Sequence, residues 1–225
     1  MRPSSLWRQA CLSTLPIMFG YIPLSMAFAV MWMQNGLPAI WAIVSSIFLY
    51  AGSMQFLLAG LLVNDTDITA VALATVAVNL RLIFYGFSYP TAAFRGKPLQ
   101  LVYGIFALTD EVYSLIAPMG RNADARLIWR MEALCHLYWL IGTSVGLLAG
   151  QLIPPQIVGF DFALVALFLI LAQGHFYYRQ RRMALILGLA AILLALGTVS
   201  QNNILAAAIA FLLLFLSFYP RKEKS

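Results

Sequence analysis

The sequence predicts an all-α polytopic membrane protein, and three observations support this prediction. Hydrophobic residues make up 62% of the 225 residues, charged residues only 10%, and the mean hydropathy is +0.86. A soluble domain of this length cannot bury so much apolar surface. Apolar runs of about 18 residues or more, the length that crosses a bilayer as a helix, recur along the chain. There are eight such runs, at roughly 12–34, 39–63, 66–90, 99–119, 130–152, 161–178, 183–199 and 202–219.

The positions of the basic residues predict that the N- and C-termini are both cytoplasmic. With eight spans, eleven basic residues fall in cytoplasmic segments, where positive charge is favoured. They are Arg2, Arg8, Arg121, Arg126, Arg130, Arg179, Arg181, Arg182, Arg221, Lys222 and Lys224. Arg95 and Lys97 fall on the outer side, in the loop 91–98; a re-entrant second or fourth segment would move this loop and leave seven spans. The net charge of +6 therefore reflects topology rather than nucleic-acid binding.

The first run is expected to form a kinked span. Two arginines ahead of an apolar stretch are typical of a secretory signal peptide, but Pro16, Gly20 and Pro23 break the stretch. Proline removes a backbone hydrogen bond from a membrane helix and bends it. We therefore expect this run to remain in the mature protein as its first span.

The second run is interrupted near its midpoint by Tyr50-Ala51-Gly52-Ser53-Met54-Gln55. A small residue such as Gly52 lets a neighbouring helix approach closely, and Gln55 offers hydrogen-bonding groups that lipid cannot satisfy. The pattern fits contacts between helices and contacts with a substrate equally well. Gly52 and Gln55 are therefore candidate site residues.

The third run carries Asn79, Arg81 and Tyr85 in its second half, after the turn Asn64-Asp65-Thr66-Asp67, which is expected to supply an N-cap for the helix. A guanidinium at the centre of a bilayer costs roughly 2.5 kcal/mol or more and keeps its charge. One interpretation is that Arg81 extends toward the headgroups. The other is that it faces the interior of a bundle and pairs with an acid, which would indicate a substrate or ion pathway.

The acids available for this pairing are Asp110 and Glu111, which lie deep in the fourth run. Adjacent side chains on a helix diverge by about 100°, so the two cannot face one cavity squarely. One interpretation is that one carboxylate pairs with Arg81 while the other binds and releases a proton, as in a proton-coupled carrier. The alternative is a static ion pair that joins two helices.

No catalytic or metal site is predicted. Glu132 and His136 lie four residues apart on one helix face, but Glu132 is at the end of its span and no second pair follows. Cys11 and Cys135 have no motif partner. We expect neither an enzyme nor a bound cofactor.

A weak internal repeat is suggested at an offset of 90 residues, where Gly52-Ser53 aligns with Gly142-Thr143. A repeat of three segments has opposite orientations in its two copies, an architecture that recurs in secondary transporters. The predicted organisation is one transporter domain at 1–225, with inverted repeats at 12–90 and 99–178 and two extra spans at 183–219.

The order and spacing of several short motifs resemble the AzlC family, the large subunit of bacterial branched-chain amino acid exporters. The motifs are Pro16, Gly20-Tyr21-Ile22-Pro23, Tyr50-Ala51-Gly52-Ser53-Met54-Gln55-Phe56, Asn79-Leu80-Arg81, Tyr85-Gly86, Thr109-Asp110-Glu111, Trp139-Leu140-Ile141-Gly142-Thr143 and Gly159-Phe160-Asp161-Phe162. The chain departs from the family at Leu82, where members often have a histidine after the arginine. If that histidine takes part in proton coupling, coupling or substrate range differs here.

The resemblance implies a multi-pass exporter of leucine, isoleucine, valine and methionine in the bacterial inner membrane, driven by protons and assisted by a small AzlD-like membrane subunit. The substrate-binding and coupling residues would then be Arg81, Asp110, Glu111, Asn79, Gln55, Tyr85 and Gly52. Two alternatives remain. One is an amino acid channel or facilitator, and the other is a noncatalytic subunit whose intramembrane charges serve only assembly with a partner.

Overall fold

The structure, a computed structural model, describes residues 3–152 and seven helical residues between 186 and 197. The chain divides into two compact units, Met1–Leu164 and Val165–Ser225, and almost all of the described residues belong to the first. The expectations for the span 161–178, its Asp161 and the last two spans concern residues that lie wholly or mostly outside the described ones. The cytoplasmic C-terminus also lies outside them.

Every regular element in the described part of the chain is helical, as the sequence predicts. The helices are α1 (Pro3–Gln34), α2 (Ala39–Phe48), α3 (Gly52–Val63), α4 (Ile68–Gly86), α5 (Pro98–Phe106), α6 (Asp110–Ile116) and α7 (Ala125–Gly150), with 3-10 turns at Thr91–Phe94 and Ala117–Asn122. Three of them are long and apolar enough to cross a membrane, over Leu6–Gln34, Ile68–Gly86 and Ala125–Gly150.

The core of the described unit is a close parallel crossing of α1 and α7. Gly146 faces the Met26 backbone, where a Cβ atom would lie 2.6 Å from the Met26 carbonyl oxygen. Gly142 similarly faces the Ile22 backbone. Small residues of this kind allow membrane helices to approach backbone to backbone. The first run does form one helix, which continues through both Pro16 and Pro23.

The second apolar run is a helical hairpin, which corrects the expectation of a single span over 39–63. Gln55 Nε2 on α3 donates to Ser45 Oγ and to Ser46 Oγ on α2, both at 3.0 Å. Along one straight helix, ten residues would separate these groups by about 15 Å. The chain reverses between the two helices, where Tyr50 has a φ of +41°.

The fourth apolar run is also a hairpin, formed by α5 and α6, so it is not a single span over 99–119. Asp110 lies beside Arg81 of α4, and one turn further on, Tyr113 stacks on Tyr85 and hydrogen-bonds Ser88. The helix α6 therefore runs in the same direction as α4 and returns to the end at which α4 finishes and α5 begins.

The second hairpin moves the loop 91–98 to the end of the molecule where α7 begins. Lys97 lies near Asp124, whose pKa is lowered by the Arg126 backbone N–H that it accepts and, to a lesser extent, by the positive charge of Lys97. Asp124 caps α7 in this way, and Asp67 caps α4 as predicted by accepting from the Thr69 N–H at 2.9 Å.

The proposed internal repeat stays a prediction because most of 161–178 lies outside the described residues. One local difference is visible. The second run is broken around Tyr50, whereas α7, which aligns with it at the offset of 90, is continuous from Ala125 to Gly150.

Candidate functional site

An ion pair between Arg81 and Asp110 lies where the two hairpins meet α4. Arg81 Nη2 is 2.9 Å from Asp110 Oδ2, and the same nitrogen donates to Ser53 Oγ at 2.7 Å. The side chains of Arg81 and Asp110 are 35% and 16% exposed. Of the two interpretations of Arg81, pairing with an acid is correct.

Tyr85 completes the environment of Asp110. Its hydroxyl donates to Asp110 Oδ1 at 2.7 Å, so both carboxylate oxygens are bound. The Tyr85 ring stacks on Tyr113, with the ring centroids 4.2 Å apart and the planes 11° apart. Because Arg81 and Tyr85 are four residues apart on α4, they present both groups to the same carboxylate.

Glu111 points to a different neighbour, as expected for adjacent residues. Its Oε2 accepts the hydroxyl proton of Tyr21 at 2.6 Å, and the Tyr21 oxygen is also 2.6 Å from Thr109 Oγ1. Thr109 caps α6 through the Val112 N–H. The pair Asp110 and Glu111 thus joins α6 to α4 on one side and to α1 on the other.

The other three predicted residues lie outside this cluster. Gln55 is fully buried and binds Ser45 and Ser46 within the first hairpin. Asn79 donates to the Thr75 carbonyl of its own helix at 2.9 Å. Gly52 begins α3 against the Trp139 ring, where a Cβ atom would lie 2.8 Å from Cη2.

The structure adds residues that sequence reasoning did not select. Ser53, Tyr21 and Thr109 all belong to the motifs that carry the family resemblance, but their positions in the run gave no reason to place them beside a charge. Ser53 also lies in the first turn of α3, whose twelve aligned peptide dipoles favour negative charge at this end.

A second polar cluster lies between α7 and the hairpins. Tyr89 donates to Glu132 Oε1 at 2.8 Å. His136 has a partner at each ring nitrogen: the Tyr103 hydroxyl lies 3.1 Å from Nδ1, and the Ser46 carbonyl oxygen lies 3.0 Å from Nε2.

No group of three or more metal-binding side chains occurs within the described residues. Elsewhere, an apolar groove of about 620 Å³ lies between the end of α1 and the first hairpin, away from Arg81.

The comparisons with known proteins identify relatives over most of the chain. The family described as "AzlC protein" matches residues 16–153. The branched-chain amino acid transport protein AzlC of Bacillus subtilis is 28% identical over 93% of this chain and 85% of its own length. An uncharacterized membrane protein of Helicobacter pylori is 27% identical over 93% of this chain and 92% of its own length. The inner membrane protein YgaZ of Escherichia coli is 27% identical over 79% of this chain and 76% of its own length.

No solved structure matches the chain. The family match covers well over half of the residues and includes the whole Arg81 cluster. The chain belongs to the AzlC family.

Proposed function

We propose that this chain is the large subunit of a transporter that exports leucine, isoleucine, valine and methionine. The observation that carries the proposal is the Arg81–Asp110 ion pair, formed between the apolar helix α4 and the tips of the two hairpins. Charged groups at such depth are expensive and are typical of substrate or ion pathways. The name of the Bacillus relative, a branched-chain amino acid transport protein, supports the choice of substrate class.

The ion pair suits a zwitterionic substrate because each of its members can be replaced by one end of an amino acid. The substrate carboxylate would take the place of Asp110 at Arg81 and at the α3 N-terminus beside Ser53. The substrate ammonium would take the place of Arg81 at Asp110. In this scheme Arg81 and Asp110 pair with each other when no substrate is bound, so both charges stay compensated throughout the transport cycle.

The direction of transport and its energy source are part of the proposal. Outward transport against a gradient needs a coupled ion, and the proposed coupling ion is the proton. A small AzlD-like subunit is the proposed partner, and the bacterial inner membrane is the proposed location. The name of the Escherichia coli relative, an inner membrane protein, agrees with that location.

The test is release of leucine from cells loaded with leucine-containing dipeptides, with the chain expressed alone and with its small partner. We expect release that stops when the proton gradient is dissipated. Arg81→Gln and Asp110→Asn should lower it by about tenfold or more, since a hydrogen bond to a charged group contributes about 1.5–3 kcal/mol and each 1.4 kcal/mol is tenfold. Full release by either variant at normal expression would remove that residue from the site.

Arg126→Gln is the matched control because it breaks an ion pair at the surface. Arg126 Nε lies 3.4 Å from Asp124 Oδ1, and the two side chains are 54% and 39% exposed. Little transport should therefore be lost. Leucine release that stops once the inside and outside concentrations are equal would indicate a channel or facilitator. Full transport by every assembled complex, with Arg81 and Asp110 variants defective only in assembly, would indicate a noncatalytic subunit.

A further inference from the structure

Glu132 is a fully buried acid that the proposed substrate site does not use. It lies seven residues after the start of α7, about 10 Å along the helix axis, and its side chain has no exposed surface. The Tyr89 hydroxyl donates to Oε1 at 2.8 Å. The other oxygen, Oε2, is buried and has no hydrogen-bond partner in the described part of the chain.

Gly104 provides the space in which this oxygen lies. A Cβ atom at Gly104 would be 2.8 Å from Glu132 Oε2 and would overlap the Tyr89 hydroxyl. The helix α5 therefore presents no side chain to the carboxyl at this position. Any larger residue at Gly104 would fill the space beside Oε2.

The groups that face Glu132 carry no compensating positive charge within the described residues. Tyr89, from the segment after α4, contacts it directly; the titratable groups nearby are Tyr103 of α5 and, on α7 itself, Cys135 and, one turn further on, His136. The neighbouring cation Arg130 points elsewhere, with its guanidinium 5.2 Å from the Trp7 ring centre and Nη1 bonded to the Arg126 carbonyl. His136 is engaged on both ring nitrogens.

A buried carboxylate without a counter-charge is far more costly than a neutral carboxyl group, so the burial of Glu132 favours its protonated form in this conformation. Asp110 differs because Arg81 compensates its charge. The two acids therefore suit different tasks. Asp110 can stay ionised and bind an ammonium group, whereas Glu132 can change its protonation state.

We propose that Glu132, positioned by Tyr89 and given room by Gly104, is the residue that carries the coupling proton. The inference rests on the proposed transport function and separates the proton site from the substrate site. A proton from water on one side binds the carboxylate to form the O–H bond at Oε2. The bond breaks when Oε2 is exposed to water on the other side, and the proton passes to that water.

The test uses the full chain with its small partner in liposomes and measures two modes of leucine movement. Exchange of labelled for unlabelled leucine at equal pH needs no net proton movement, whereas uptake or release driven by a pH gradient does. Glu132→Gln should lower gradient-driven movement at least tenfold and leave exchange within about twofold of wild type. Glu132→Asp should recover part of the gradient-driven movement, and Arg81→Gln should lose both modes.

Equal loss of both modes in Glu132→Gln, or no loss in either, would overturn the inference. Infrared difference spectra supply a second readout, because the carbonyl stretch of a protonated carboxyl should be present in wild type and reduced in Glu132→Gln. Spectra without such a difference would overturn the inference even if neither protein transported leucine. Absence of all leucine movement in wild type, with the infrared difference intact, would instead contradict the proposed function.

A milder variant covers the case in which Glu132→Gln does not fold. Tyr89→Phe keeps the carboxyl and removes one hydrogen bond from it. We expect the pH at which gradient-driven movement is half-maximal to shift while equal-pH exchange is retained. An unchanged pH profile would contradict a proton-carrying role for Glu132.

Discussion

Replacing Gly146 by alanine should destabilise the protein by forcing α1 and α7 apart. The added Cβ would lie 2.6 Å from the Met26 carbonyl oxygen, 2.7 Å from Met26 Cα and 2.8 Å from Ala29 Cβ, where ordinary contacts begin near 3.4 Å. The neighbours are mainly backbone, so the helices must separate by several tenths of an ångström. Overpacking costs about 1–3 kcal/mol, and removing a glycine from a helix interior returns about 0.5–1 kcal/mol.

The net loss, up to about 2.5 kcal/mol, corresponds to a Tm lower by about 2–4 °C for each kcal/mol, measured by thermal unfolding of the purified protein. Gly60→Ala is the control because Gly60 lies inside α3 with nothing within 4 Å of its added Cβ, and we expect an unchanged or higher Tm. A Tm for Gly146→Ala at or above that of wild type would refute the close helix crossing.

Two further predictions concern the hairpins. Gln55→Leu should lower the unfolding free energy by about 1–3 kcal/mol, because two hydrogen bonds within the first hairpin are lost, and leave the KM for leucine unchanged. A raised KM at unchanged Tm would instead place Gln55 against the substrate. In a Cys11→Ser background, Arg95→Cys and Ala123→Cys should react with an impermeant thiol reagent from the same side, and Asn64→Cys from the opposite side. Labelling of positions 95 and 123 from opposite sides would show that the run 99–119 crosses the membrane.

The ion pair could be predicted from the sequence because a charge within an apolar run is energetically costly and needs a partner. Arg81 interrupts an apolar run, and only Asp110 and Glu111 lay deep enough in another run to compensate it. The structure selects Asp110. Tyr85 was a candidate because it lies in the same run, and the structure shows its hydroxyl on Asp110 as well. The roles of Gln55 and Asn79 at a substrate stay predictions, and both side chains form local hydrogen bonds, with Ser45 and Ser46 for the first and with the Thr75 carbonyl for the second.

The hairpins were much harder to predict because hydropathy measures composition and not direction. Two short apolar helices that return to the same side have the same hydropathy as one helix that crosses. The reversal in the second apolar run occurs at Tyr50, and the one in the fourth occurs at Ala107, Leu108 and Thr109. Neither reversal contains a proline. The sequence signals were the interruption of the second run at Tyr50 to Gln55 and the basic residues Arg95 and Lys97, which eight spans place on the side that disfavours positive charge.

The parallel packing of α1 and α7 limits which of the apolar runs between them can cross the membrane. Parallel neighbours need an odd number of crossings between them, so the runs 39–63 and 99–119 must either both cross or both return. A single re-entrant run, which would give seven spans, is inconsistent with this packing. The contacts of α6 along α4 show that the run 99–119 returns. The hydrogen bonds of Gln55 show that the run 39–63 returns as well.

With both runs returning, the helix α4 is antiparallel to α1 and α7, and most of the basic residues of the described range lie at one end. Trp7 beside Arg130 and Tyr89 beside Glu132 place the start of α1, the end of α4 and the start of α7 together. This end carries Arg8, Arg95, Lys97, Arg121, Arg126 and Arg130, whereas Asp65 and Asp67 lie at the other end. Arg81 is thus the one basic residue within the described range that lies between the two ends. Its partner, Asp110, reaches it only because α6 begins at the tip of a hairpin, so the topology and the candidate site depend on the same break in the chain.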